Sequence, residues 1–170
     1  MEKKYNLISV YSHTNFDQIM NEIGVNDENV ENKFGHLAFI SIIGTDECQK
    51  YYLEEEEKHW FKENHNNVLN LEFDDIPKDI VYEGHEFKTI TDEQANILIK
   101  FIEDNLNKDF YVHCRAGKSR SQAVYKFMTD CYPRYFDFDK SGLKDNPCLT
   151  PNYGILSIIK HVFYEKNGLF

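Results

Sequence analysis

The sequence predicts an α/β fold: a single domain over residues 1–170, with a largely parallel central sheet flanked by helices. Three observations carry that expectation. Short apolar runs alternate along the chain with segments whose apolar residues recur at helical spacing, the pattern of strand–helix–strand units. A chain of 170 residues is ordinarily one domain and can bury a sizeable core, which the 15% aromatic share helps to fill. No internal repeat, low-complexity linker or domain boundary divides it.

The elements follow in order. Leu7-Ile8-Ser9-Val10 reads as a first strand, followed by a helix from about Asn15 to Ile23. Leu37 to Ile43 is an apolar run between Gly35 and Gly44, as expected of a buried strand. Cys48 to Glu63 has helical composition. Val68 to Phe73 alternates apolar and polar residues and reads as a strand. Thr91-Asp92-Glu93-Gln94 is a capping box, with Thr91 as N-cap and Gln94 at N3. Behind it, Ala95, Leu98, Ile99, Ile102 and Leu106 keep helical spacing. Phe110 to His113 is the strand that delivers Cys114. From Arg120, residues Ala123, Val124, Phe127, Met128 and Cys131 keep one face apolar until Pro133 stops the helix. Residues 133 to 149 read as a loop, with Gly142 and Pro147. Thr150-Pro151 then reads as an N-cap with proline at the first helical position. Ile155, Ile158, Ile159, Val162 and Phe163 form the last apolar face, and Gly168 lies past its end.

Composition narrows the function classes. A formal charge of −10 argues against general binding to nucleic acid or to an anionic membrane. No apolar stretch is long enough to span a bilayer, and the start of the chain does not read as a signal peptide. Cys48, Cys114, Cys131 and Cys148 show no close pairs and no metal-ligand spacing, and the histidines are scattered. The expectation is a cytoplasmic monomer with reduced thiols that needs no metal or cofactor. The run Glu54-Glu55-Glu56-Glu57 reads as a solvated helix face.

The chemistry concentrates in Val112-His113-Cys114-Arg115-Ala116-Gly117-Lys118-Ser119-Arg120-Ser121. A cysteine at a strand end and an arginine at a helix start would share one tight loop. Its backbone N–H groups would aim inward at the positive end of a helix, a concavity that binds a tetrahedral oxyanion. The same environment lowers the pKa of a thiol at its base. A nucleotide-binding Gly-x4-Gly-Lys-Ser loop is excluded, because its first glycine would fall at Val112. The run resembles the His-Cys-(five residues)-Arg-Ser signature of the cysteine-dependent tyrosine and dual-specificity phosphatases, matching at His113, Cys114, Gly117, Arg120 and Ser121. That resemblance implies the same tyrosine-phosphatase-like α/β fold, with the loop at the carboxyl edge of the sheet.

Each loop residue then has an expected role. Cys114 is the nucleophile that would form a cysteinyl-phosphate; a buried structural thiol is the reading preferred for Cys48, Cys131 and Cys148. Arg120 would hold two phosphoryl oxygens through its planar fork. Arg115, Ala116, Gly117, Lys118 and Ser119 complete the phosphate-binding loop, and Gly117 allows close backbone approach to the oxyanion. By the resemblance, Ser121 would stabilise the departing thiolate. His113 would organise the loop by hydrogen bonds.

A phosphoester's leaving oxygen also needs a proton. The resemblance implies an aspartate on a loop N-terminal to the cysteine, with Asp74, Asp75, Asp79 and Asp92 as candidates. Asp92 has an ordinary helix-start role. Leu71-Glu72-Phe73-Asp74-Asp75-Ile76 resembles the Phe-x-Asp-Ile segment of small microbial and phage-type tyrosine phosphatases, which favours Asp75, then Asp74, with Asp79 kept open.

Three functional readings stand at this point. The first is hydrolysis of phosphotyrosine, or of phosphoserine and phosphothreonine, in proteins or peptides. The second keeps the chemistry but changes the substrate to a soluble inositol phosphate or a phosphoinositide. It draws on Cys114-Arg115-Ala116-Gly117-Lys118, which is similar in charge to the Cys-Lys-Ala-Gly-Lys loop of phosphoinositide phosphatases. The third is a non-catalytic phosphate-binding module. The Pro133–Leu149 stretch, with Arg134, Tyr135 and Phe136, would wall the site.

Overall fold

The computed structural model describes residues 4–52, 56–140 and 150–169. Their order is β1 (Ile8–Ser12), α1 (His13–Ile23), β2 (Leu37–Ile43), α2 (Asp46–Tyr52), β3 (Val68–Glu72), β4 (Ile80–Tyr82), β5 (His85–Phe87), α3 (Asp92–Asp104), β6 (Asp109–Cys114), α4 (Arg120–Cys131) and α5 (Tyr153–Lys166). The architecture is α/β. Strands run β1-β6-β2-β3 across one sheet, and every pairing is parallel. Parallel strands need helical crossovers that cover both faces, so β2 (Leu-Ala-Phe-Ile-Ser-Ile-Ile) is almost continuously apolar. No described helix is long and apolar enough to cross a membrane.

Two apolar layers pack on the sheet. On one face, Phe16 and Met20 of α1 meet Phe39, Phe61 and Val68. On the other, the apolar faces of α3, α4 and α5 close over Val10, Ile40, Ile42, Phe110 and Val112. The register places Cys114 beside Ser12, and Ser41 beside His113. The C-terminal ends of the strands therefore form one edge, where a ligand site is expected in an open α/β sheet.

Local signals were sufficient where the helix ends are self-contained. Thr91 and Gln94 form the reciprocal capping box of α3, with Gln94 N donating to Thr91 Oγ1 at 3.0 Å and Thr91 N to Gln94 Oε1 at 2.9 Å. Ser12 caps α1, and Gly24 closes it in the left-handed region.

Three expectations need correction. The helix expected from Cys48 to Glu63 spans only Asp46–Tyr52 among the described residues, and residues 56–63 are irregular. Distant groups hold that segment: Asp27 accepts from Lys62 N and Glu63 N, Asn70 Nδ2 donates to Phe61 O, and Trp60 Nε1 to Val25 O. With its backbone bonded this way and Phe61 fully buried, the segment gains more from tertiary contacts than from a helix.

The last helix starts at Tyr153, with Asn152 rather than Thr150 as N-cap; Thr150 Oγ1 instead donates to Lys118 O at 2.9 Å. Of the 133–149 stretch, Phe136 turns into the core, edge-on to Phe110 at 5.5 Å, and Arg134, Tyr135 and Phe136 do not line the cavity at the Cys114 end of the sheet. Gly142, Pro147 and Cys148 lie outside the described residues.

An antiparallel hairpin was not anticipated. Strands β4 and β5 join through Glu83 and Gly84, both at positive φ (49° and 79°). A two-residue turn of this kind favours Asn-Gly or Asp-Gly, and Glu-Gly is a weaker signal.

Candidate active site

Strand β6 ends at Cys114 and α4 begins at Arg120; residues 115–119 form the loop between them. Four of its five carbonyls, and that of Cys114 before it, are held by neighbouring groups. His113 Nδ1 lies 3.3 Å from Cys114 O, and His13 N donates to Arg115 O at 3.0 Å. Gln122 Nε2 donates to Gly117 O at 3.0 Å, Thr150 Oγ1 to Lys118 O, and Ala123 N to Ser119 O at 3.0 Å. In a trans peptide the N–H points opposite to the carbonyl, so carbonyls held outward turn the loop's N–H groups inward. The result is an anion concavity at the first turn of α4.

Gly117 also meets a constraint that the sequence did not show. Its φ is +70°, and a Cβ there would lie 2.7–2.8 Å from the Tyr11 and Ser12 backbone. The close approach is to strand β1.

Cys114 Sγ sits at the base, 2% exposed, 3.0 Å from Ser121 Oγ. Burial pushes its pKa up, but the Arg120 charge, the Ser121 hydroxyl and the Ser121 and Ser119 N–H groups outweigh it and hold the thiol below its ordinary value. The other described cysteines go the opposite way. Burial, reinforced by Asp74, pushes Cys48 up to about 11, and burial pushes Cys131 up to about 11. Only Cys114, among the described cysteines, is held toward the thiolate.

Arg120 is buried, and its Nη1 donates to Phe73 O at 2.8 Å. Its buried Nε has no hydrogen-bond partner among the described residues. A cation at a helix start with an unused donor is unfavourable unless an anion docks there.

The expected acids separate clearly. Asp75 lies on the rim of the cavity, where Ser119 Oγ and Asn152 Nδ2 both donate to its Oδ1, at 2.7 and 2.9 Å. Asp74 also borders the cavity, but it is 1% exposed and both oxygens are committed. Thr45 N and Lys88 N donate to them at 2.9 and 2.8 Å, and Thr45 Oγ1 adds 3.0 and 2.8 Å contacts. Asp79 accepts from Thr89 N and pairs with Lys88, away from the cavity lining. Asp92 opens α3.

The cavity holds about 480 Å³. Cys114, Arg115, Ala116, Ser119 and Arg120 line its polar side; Ile76, Ile80, Tyr82 and Phe87 form an apolar wall supplied largely by the β4–β5 hairpin. Gly117 and Lys118 are not part of the lining. Glu57 was expected on a solvated helix face. Its side chain is instead only 12% exposed, with Oε1 3.6 Å from Arg115 Nε. The hairpin wall and the Glu57–Arg115 pair escaped sequence reading because neither carries a motif. No group of described residues is arranged to hold a metal ion.

Solved structures similar to this chain include the following two. One is a human tyrosine phosphatase-like serine/threonine/tyrosine-interacting protein, with 18% identity over 81% of this chain and 82% of that one, at a TM-score of 0.45. The other is PTPMT1 in complex with PI(5)P, with 15% identity over 82% of this chain and 85% of that one, also at a TM-score of 0.45. No protein-family model and no curated protein matches the sequence.

Proposed function

We propose that this protein is a cysteine-dependent phosphomonoester hydrolase acting on phosphotyrosine in proteins or peptides. The observation that carries the reading is the convergence of Cys114, Ser121 and Arg120 at the base of one cavity with Asp75 at its rim.

The phosphoryl group docks on the loop N–H groups, and two of its oxygens take the Arg120 fork, including the unused Nε donor. The Cys114 thiolate attacks phosphorus. The S–P bond forms as the P–O ester bond breaks, and Asp75 gives its proton to the departing oxygen. Ser119 and Asn152 both bind Oδ1, which leaves Oδ2 to carry that proton. Water then attacks phosphorus and Asp75 takes up a proton from it. The S–P bond breaks, and the Ser121 hydroxyl donates to the released thiolate.

The apolar wall of Ile76, Ile80, Tyr82 and Phe87 suits an aromatic ring better than a polyhydroxylated one. Of the two extra cations that motivated an inositol phosphate, Lys118 does not line the cavity, and Arg115, which does, is already paired with Glu57.

The deciding experiment measures initial rates on phosphotyrosine peptide, phosphoserine peptide and inositol polyphosphates, wild type beside Cys114→Ser. Turnover of the phosphotyrosine peptide, lost in Cys114→Ser, is expected. Turnover of inositol polyphosphate alone would replace the substrate class, and no turnover of any would overturn the enzymatic reading.

A further inference from the structure

Beneath the loop lies a buried polar chain that the mechanism above does not use. His113 is fully buried, with Nε2 2.6 Å from Ser41 Oγ, and Ser41 Oγ is also 2.6 Å from His59 Nδ1. On its other side His113 Nδ1 faces Cys114 O at 3.3 Å. Neither Ser41 nor His59 lies near Cys114 in sequence.

The chain admits one order of protons. A carbonyl only accepts, so the Cys114 contact requires the proton on His113 Nδ1. Burial, with His13 nearby, pushes the His113 pKa down to about 3, so the ring is neutral and Nε2 is a bare acceptor. Ser41 must therefore donate to Nε2. Its single proton is then spent, and the second contact must be donated by His59 Nδ1. Burial pushes His59 down to about 4, so it too is neutral, with its proton on Nδ1 and its buried Nε2 without a hydrogen-bond partner among the described residues.

We propose that Ser41 and His59 are positioning residues for the nucleophile: the relay from His59 through Ser41 to His113 and the Cys114 carbonyl locks the His113 tautomer and so orients the peptide unit at the base of the loop. With the Cys114 carbonyl pinned toward His113, the Arg115 N–H points the other way, toward the anion side. Without the Ser41 proton both tautomers of His113 become accessible. In the wrong one a bare Nδ1 opposes the Cys114 carbonyl, two acceptors face each other, and the loop base loses the geometry that stabilises the thiolate.

The charged and titratable groups around this chain are few. His13 of α1 packs edge-on to His113 at 5.0 Å between ring centroids, with Asp17 3.9 Å from His13. Glu72 at the end of β3 lies 3.7 Å from His59 Nε2. Arg120 of α4, with Glu57, Arg115, Asp74 and Asp75, borders the Cys114 side. None of them replaces the Ser41 proton.

The inference rests on Cys114 as the reactive thiolate, and its test reads that thiolate directly. The rate of iodoacetamide alkylation of Cys114 in the full chain is measured against pH. Ser41→Ala and His59→Phe are each expected to move the midpoint upward by about one pH unit, a roughly tenfold loss of thiolate below it. Ser41→Thr, which keeps the hydroxyl, and His59→Asn, which keeps a donor at the Nδ1 position, are expected to restore it. The acidic limb of kcat/KM on an aryl phosphate should move with the midpoint. If Ser41→Ala does not fold, the half-buried His59→Phe carries the test. Midpoints unchanged from wild type in the folded variants overturn the relay, while aryl phosphate turnover continues. Shifted midpoints in a protein without turnover would keep the relay and overturn the enzymatic reading.

Discussion

At the scale of single residues, selectivity resides in what surrounds each thiol. Cys114 is held low and Cys48 and Cys131 are held high, so a thiolate reagent at neutral pH should label Cys114 first, and Cys114→Ser should lose both labelling and turnover. Mass spectrometry of the labelled peptide checks this, and initial labelling of Cys48 would contradict it. Arg120→Lys keeps the charge but loses the fork. Its kcat/KM on phosphotyrosine peptide should fall by ~3 kcal/mol of transition-state stabilisation, as for loss of an oxyanion donor. Asp75→Asn should slow phosphotyrosine strongly and an activated aryl phosphate little, because a good leaving group needs little protonation. It should also remove the alkaline limb of the pH–rate profile, which reports the acid. The acidic limb reports ionisation of the Cys114 thiol and should persist.

At the scale of elements, the loop depends on joints between strands and helices. Gly117→Ala forces a Cβ into the Tyr11–Ser12 backbone at a positive φ, so strand β1 or the loop must shift. Its cost should be about 1–3 kcal/mol in denaturant unfolding, with phosphate affinity reduced as well. Asp74 is the second joint. It ties the β2–α2 turn at Thr45 to Lys88 beyond the hairpin, and Asp74→Ala leaves part-buried backbone donors unpaired at both. A loss of about 1–3 kcal/mol is expected, with kcat on an aryl phosphate affected less than by Asp75→Asn. A larger catalytic loss at Asp74 than at Asp75 would reverse their assignment.

At the scale of the whole molecule, the buried histidines couple stability to pH. His113 falls from its ordinary 6.5 to about 3 on folding, and His59 from 6.5 to about 4. Below 6.5 the unfolded chain therefore binds more protons than the folded one, and stability falls with pH. This contribution is complete above 6.5 and is lost progressively down toward 4 and then 3. The melting temperature should decline across that window, and His113→Asn should flatten the slope there even if it lowers the plateau. An unchanged slope would mean that His113 is not buried neutral.

The loop from Cys114 to Arg120 was legible in the sequence because its parts are neighbours in the chain. One strand, one loop and one helix start bring Cys114, Arg120 and Ser121 together within eight residues, although distant groups such as His13, Phe73 and Thr150 then hold the loop in place. The α/β class and the α3 capping box were legible for the same reason, since periodicity and caps are local. Contacts between distant segments were not. Ser119 meets Asp75 across 44 residues, Asn152 meets Asp75 across 77, and Ser41 meets His113 across 72. Glu57 turns inward to Arg115, and residues 56–63 leave the helix their composition favours, because other segments satisfy their polar groups. Local sequence was enough to bring a cysteine, a serine and an arginine to one strand–loop–helix junction. The parallel order β1-β6-β2-β3 decided which aspartate stands on the rim and which histidines and hydroxyls support the thiolate from below, because such contacts depend on which strand ends lie side by side.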